Sequence, residues 1–293
     1  MKTQTVSRRS ALKAFGVVAT AAIPAFHRAD AAELYKLKNN RIRQSVVPWC
    51  FKPMPPEELI GHSQKLGLKS VELIDPKYWP ELQKRGMTCA ICGSHGFAKG
   101  LANADEQAEC LKMLEERIEL CAKNAVPSII TFSGMKKGAP DEVMRKNMVE
   151  GLKKIARVAE AKKVTVCPEM LNTKVAVEMK GHPGYWFNDM DEAIRIVKEV
   201  GSERVKVLFD IYHVQIMHGD VIARIKQYAP YIGHIHTAGV PGRNEIDDTQ
   251  ELNYPPIMRA LVEVGYKGYV GQEFIPLRDK VTSLSEAVKL CDV

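Results

Sequence analysis

The sequence predicts an α/β fold, a single (β/α)₈ barrel over residues 32–293, preceded by a leader over residues 1–31. Three observations carry this prediction. Eight apolar, strand-like runs alternate with helix-patterned stretches; no linker, repeat or low-complexity segment interrupts them; and the eight units fill about 260 residues, the length of such a barrel. Regular strand–helix alternation requires parallel strands, because each helix carries the chain back to the same end of the sheet.

In chain order the strand candidates are IRQSVV (42–47), SVELID (70–75), TCAICG (88–93), SIITFSG (128–134), VTVCPEM (164–170), VKVLFD (205–210), IGHIHT (232–237) and GYVGQEF (268–274). Between the fourth and fifth, apolar residues at 144, 148, 152, 155 and 159 form a helical stripe that begins behind Pro140-Asp141. NDMDEAIRIVKEVG repeats the design, with Asn188 or Asp189 as cap, Ala193, Ile196, Val197 and Val200 on one face, and Gly201 at the C-terminal end. YPPIMRALVEVG does so again before the last strand. No G-x-G-x-x-G follows an early strand, so the pattern offers no dinucleotide site.

The formal charge of +7 invites a nucleic-acid reading, but five basic residues against one acid lie in residues 1–31. Without them the chain holds 37 basic and 34 acidic residues, close to neutral, which argues against a DNA-binding face. The segment itself reads as an export signal: Arg8-Arg9, an apolar run from Ala14 to Phe26, then Ala29-Asp30-Ala31 as a small-residue cleavage site. It resembles a twin-arginine signal. The expectation is export to the periplasm of a folded, cofactor-loaded protein with no membrane association after signal removal. Seven scattered cysteines do not form a disulfide framework and are expected in the core. Cys89 and Cys92, three apart on an extended run, point to opposite faces, which disfavours a redox or zinc pair.

In a (β/α)₈ barrel the reactive groups sit at the C-terminal strand ends. The last four strands each finish on a polar residue: Glu169, Asp210, His236 and Glu273. A single acid in that position commonly caps the next helix. Four such residues on consecutive strands at one height predict a shared divalent cation, since three carboxylates and an imidazole would otherwise repel. Mn²⁺ or Mg²⁺ suits the oxygen-rich set, and the imidazole admits Co²⁺ or Zn²⁺. His234, two residues before His236, is expected as a hydrogen-bonded core histidine. Glu72 and Asp75 could face the pocket or cap the next helix, and capping is the expectation; His95 is a pocket residue or else a satisfied loop histidine, and His182 and His218 are expected to face solvent. Trp49, Phe51, Tyr185 and Trp186 suit either a pocket wall or the core.

The strings PEMLN (168–172), GYWF (184–187), FDIYHVQ (209–215), GHIHTAGVPGR (233–243), ELNYP (251–255) and GQEF (271–274) resemble the hydroxypyruvate isomerase group of the xylose isomerase-like barrels, relatives of the ketose 3-epimerases. The resemblance runs from about residue 40 to 280. It implies that Glu169, Asp210, His236 and Glu273 bind the metal, that the two glutamates also move the proton, and that His213 and Arg243 contact substrate. The implied reaction converts hydroxypyruvate to tartronate semialdehyde through an enediolate. His236 is the residue expected of the epimerases, so epimerisation or isomerisation of a free sugar or inositol derivative is the alternative; a non-catalytic exported barrel is another. Homo-oligomers are common among such relatives. A DNA phosphodiesterase would need several metals and a histidine-rich cluster, for which only His95 and His213 are spare.

Overall fold

The computed structural model describes residues 34–293, so the leader expected over residues 1–31 lies outside the described residues. The described elements are β1 (Arg43–Val46), α1 (Pro56–Leu66), α2 (Trp79–Lys84), α3 (Ala104–Lys123), β2 (Ser128–Thr131), α4 (Asp141–Lys162), β3 (Thr165–Pro168) and α5 (Met190–Val200). They continue with β4 (Val207–Asp210), α6 (Ile211–Met217), α7 (Val221–Tyr228), β5 (Ile232–Thr237), α8 (Tyr254–Glu263), β6 (Tyr269–Gln272) and α9 (Lys280–Cys291).

All paired strands are parallel. β1, β6, β5 and β4 neighbour one another in that order, and β2 pairs with β3. Backbone bonds complete the ring: Lys206 N donates to Val166 O (3.1 Å) between β3 and β4. On the other side two extended segments stand where regular strands were expected at 70–75 and 88–93. Glu72 N donates to Val46 O (3.0 Å), Leu73 N to Ile91 O (2.9 Å), Cys92 N to Ser128 O (2.9 Å) and Ile130 N to Cys92 O (3.0 Å). The first of them is broken at Leu73, which sits at φ +50°, outside the β region. The eightfold barrel is therefore present, closed through six regular strands and two irregular ones.

The helices start and stop where the side-chain chemistry requires. Asp189 Oδ1 accepts from Glu192 N (2.8 Å) at the start of α5, and Gly201 ends it at φ +72°, a conformation that a Cβ would strain. The stripe of α4, from Met144 through Ala159, is buried. Inside the ring, Ile91, Ile130, Cys167 and Leu208 fill the core with one apolar residue from each of four adjacent extended segments. Fully burying each large aliphatic side chain is worth about 1.5–3 kcal/mol, so this plug and the helix–sheet layer stabilise the ring that carries the polar strand ends. All seven cysteines are free and buried. Among the described residues no helix is long and apolar enough to cross a membrane.

The long connection from β3 to α5 folds over the C-terminal mouth. His182, expected in solvent, lies here instead: it is buried, its ring against Phe97 with centroids 4.3 Å apart. His218 is half-buried and accepts from Met190 N (3.1 Å). Burial, with the Arg243 guanidinium adding to it, pushes the His182 pKa down from 6.5 to about 4. A histidine whose folded pKa is depressed binds fewer protons than in the unfolded chain, so stability falls as pH drops from 6.5 toward 4, by at most about 3 kcal/mol from this residue. His182→Gln is expected to narrow the difference in melting temperature between neutral and acidic buffer; an unchanged pH dependence would show that other groups carry the acid sensitivity.

Candidate metal centre and active site

Each strand delivers one polar side chain to the mouth of the ring. Asp210 is the last residue of β4 and Glu273 follows β6 directly; Glu169 follows β3, and His236 lies one residue short of the end of β5. Register accounts for their shared height: Asp210 pairs with His236 across β4–β5, and Glu169 bridges to Leu208. None of the four is more than 4% exposed. One ligand atom from each lies within 4.8 Å of the others. His236 Nδ1 stands 3.0 Å from Glu273 Oε2 and 3.7 Å from Glu169 Oε1.

Asp210 caps a helix with one oxygen and turns the other toward the cluster. Its Oδ1 accepts from Tyr212 N (2.8 Å) and His213 N (3.4 Å), capping α6. Its Oδ2 turns to the cluster, 3.2 Å from Arg243 Nη2 and 3.5 Å from His213 Nε2. Arg243, on the turn after β5 at φ +57°, is buried within the cluster and not a mobile loop side chain. Its Nη2 also donates to Glu273 Oε2, its Nη1 donates to Met179 O (2.7 Å), and its guanidinium lies over the rings of Trp49 and Tyr212.

The electrostatics are uneven. Burial pushes Asp210 up to about 7 against the Arg243 guanidinium, with the Glu273 and Glu169 carboxylates adding to the rise. Burial likewise raises Glu169. Burial would raise Glu273 too, but Arg243 and His236 outweigh it and hold that carboxyl well below its ordinary range. Three carboxylates faced by one guanidinium leave about two uncompensated negative charges when ionised, the charge of one divalent ion. Glu169 Oε1 and His236 Nδ1 are buried and have no hydrogen-bond partner among the described residues, which a shared cation would supply. The donor set, three carboxylates and one imidazole nitrogen, fits such an ion.

His213 is fully buried, and its Nδ1 accepts from Asn172 N (3.1 Å). That bond assigns the proton of the neutral ring to Nε2, which faces the cluster without a hydrogen-bond partner. Burial, then Arg243, keeps the ring neutral by lowering its pKa well below the ordinary value. His95 is not brought to the cluster. Its Nε2 meets Thr131 Oγ1 (2.9 Å) and its Nδ1 meets Lys99 O (3.1 Å), so both nitrogens are committed within the loop.

Several contributors escaped the sequence reading. Glu72, expected as a cap, is buried inside the ring with its Oε1 2.8 Å from Nε2 of both His234 and His236. Asp75 does cap, accepting from Lys77 N (2.9 Å). Trp49 Nε1 donates to Glu273 Oε1 (3.1 Å), while Phe51 packs edge-on to Phe274 in the core. Tyr185 is buried and its hydroxyl donates to Glu169 O (3.0 Å); Trp186 is half-buried and donates to Asp141 Oδ1 (3.2 Å). For Glu72 one signal was available, an acid inside the apolar run VELI, which on a strand of a closed barrel implies a buried partner.

Comparison with known proteins places this architecture. Residues 61–290 match the family model described as a xylose isomerase-like TIM barrel. Over 132 residues the chain is 42% identical to the 2-oxo-tetronate isomerase of Cupriavidus necator, covering 45% of this chain and 48% of that protein. Over 193 residues it is 27% identical to the hydroxypyruvate isomerase of Escherichia coli, covering 66% and 67% respectively. Among solved structures, the family 2 AP endonuclease of Brucella melitensis aligns with a TM-score of 0.75 and 25% identity over 83% of this chain and 97% of that one. The family match spans most of the closed ring and all four residues of the strand-end cluster, and the chain belongs to the xylose isomerase-like TIM barrel family.

Proposed function

We propose that this protein is a divalent-metal-dependent isomerase of small hydroxy-keto compounds, and that its substrate is hydroxypyruvate, converted to tartronate semialdehyde. The observation that carries the proposal is the convergence of Glu169, Asp210, His236 and Glu273, with Glu169 Oε1 and His236 Nδ1 aimed unpartnered into the common space. The names of the bacterial relatives support an isomerase acting on a 2-oxo acid. Mn²⁺ or Mg²⁺ suits the ligand set, with Co²⁺ or Zn²⁺ admitted by His236.

A cation held by these four residues supplies Lewis acidity toward the carbonyl and the neighbouring hydroxyl of the substrate. The remaining work falls to the chain. Isomerisation moves one proton from C3 of hydroxypyruvate to C2 through an enediolate, and one hydroxyl proton between the adjacent oxygens. Glu169 and Glu273, both in the cluster, act as the acid/base pair, Glu169 with an unpartnered Oε1 and Glu273 with its oxygens oriented by neighbouring donors. Trp49 Nε1 holds Glu273 Oε1 in place. The Nε2–H of neutral His213 donates to the substrate oxygen on which negative charge grows, without adding a competing acid. Arg243 holds the substrate carboxylate; its buried Nε has no partner among the described residues and is free to donate. A DNA phosphodiesterase is disfavoured because His95 is committed elsewhere. Ketose 3-epimerisation, which uses the same acid/base pair on a longer chain, is the second reading and is favoured by His236. We further propose export through the leader, periplasmic residence and a homo-oligomeric assembly.

Incubating Mn²⁺-loaded protein with hydroxypyruvate and, separately, with free ketoses, and reading products by NMR, should show tartronate semialdehyde only from the first. Epimerised ketose without turnover of hydroxypyruvate would instead establish the second reading. Glu169→Gln and Glu273→Gln should each lower kcat/KM by about 10²–10⁴-fold; near-normal turnover in either variant, metal bound, removes that residue from proton transfer. Asp210→Asn separates the two duties of that residue, since asparagine caps a helix about as well as aspartate. Melting temperature should hold within a few degrees while Mn²⁺ affinity measured by calorimetry falls by at least about tenfold; unchanged affinity would exclude Asp210 as a ligand.

A further inference from the structure

A carboxylate placed where no water reaches needs donors, and Glu72 has two from a single strand. His234 and His236, two residues apart on β5 and therefore on the same inner face, both direct Nε2 at Glu72 Oε1, each at 2.8 Å. Glu72 comes from the irregular segment beside β1, so both β1 and β6 lie between it and β5 in the ring. The contact therefore spans the barrel interior across both strands, and only a residue without a side chain permits it. A Cβ at Gly271 would stand 2.2 Å from Glu72 Oε1, 2.8 Å from its Cδ and 3.0 Å from His236 Cδ2. Gly271 is the inward position two residues before Glu273, so one glycine opens the space that the Glu72–His236 bond occupies.

An ionised carboxylate only accepts, so each histidine must carry its proton on Nε2 to bond it. For His236 the consequence is directional. With Nε2 protonated and tied to Glu72, the neutral ring keeps its lone pair on Nδ1, the atom 3.0 Å from Glu273 Oε2 and part of the strand-end cluster. We infer that Glu72 is a positioning residue for the metal centre: it selects the Nε2–H tautomer of His236 and fixes the ring so that Nδ1 is offered as the ligand, with His234 as the second donor that anchors the carboxylate. The inference rests on the metal reading of the cluster for its effect on affinity, while its structural part, the tautomer, stands independently.

Two measurements on the full chain test it. The first is a two-dimensional ¹⁵N–¹H spectrum of ring nitrogens in histidine-labelled protein, recorded at a pH above the observed titration of His236, which is assigned through His236→Gln. The wild type should show Nε2–H and an unprotonated Nδ1 for His236, and Glu72→Gln, whose amide can itself donate, should disturb that pattern. A wild-type His236 with its proton on Nδ1, or a pattern unaltered in Glu72→Gln, overturns the inference. The second is Mn²⁺ titration by calorimetry. Glu72→Gln should weaken binding about 10- to 100-fold, the range for a lost partner behind a ligating histidine, and Gly271→Ala should act in the same direction by displacing the carboxylate. Equal Mn²⁺ affinity in folded Glu72→Gln and wild type overturns the inference. Should the wild type take up no Mn²⁺ at all, the metal reading fails instead, and the nitrogen spectrum alone decides for or against Glu72. The wild-type spectrum also decides the matter if Glu72→Gln does not fold.

Discussion

Negative charge buried in one small space is the constraint around which this molecule is arranged. Glu169, Asp210 and Glu273 meet where water is excluded, and Glu72 lies one layer deeper. An uncompensated buried carboxylate costs several kcal/mol or takes up a proton, so each must be answered locally. Asp210 is answered on one oxygen by the first amides of α6 and on the other by Arg243. Glu273 is answered by Arg243 and Trp49, and Glu72 by two histidines. Glu72 is pulled down to about 2 despite its burial because His234 and His236 outweigh the desolvation. Of the three carboxylates in the cluster Glu169 is the one with an unanswered oxygen, while Glu72 keeps its Oε2 unpartnered in the deeper layer.

The surrounding fold serves this arrangement by holding polar side chains at fixed heights. Parallel register sets Asp210 opposite His236, and the apolar plug of Ile91, Ile130, Cys167 and Leu208 keeps the ring from collapsing around the charged layer. The loop after β3 then closes the mouth from the side. Its carbonyls at Met179 and Lys180 accept from Arg243 and Tyr212, and Asn172, at the start of the same loop, orients His213. Groups that would contact substrate are thus positioned by groups that would not, which is how a site on loops gains the precision of one on strands.

The proton-transfer reading draws on the same asymmetry. Two glutamates with similar intrinsic acidity share the His236 imidazole and sit in otherwise unlike surroundings, Glu273 against a guanidinium and an indole donor, Glu169 raised by its own desolvation. Such a pair can hold one proton between two positions. Family membership makes the barrel unsurprising; around the cluster, Arg243 lies over the Trp49 ring and His182 packs against Phe97.

The order of the extended segments and helices, the four polar residues at the strand ends, the start of α4 and the cap of α5 were legible in the chain itself, because hydrophobic period, capping chemistry and strand length are local properties. Asp210 could be placed at a strand end from VLFD and was read there as a ligand rather than a cap, yet one of its oxygens caps α6, since both uses suit the same residue at the same position. Glu72 was misread for a different reason: its partners lie 162 and 164 residues away, and only closure of the ring brings them to one oxygen. His182 and Arg243 look like loop residues in sequence and become buried because a loop folds over the mouth, an outcome set by packing and not by pattern. Local chemistry determined which side chains stand at the rim; closure decided which of them meet, because contact between distant strands exists only once the ring is complete.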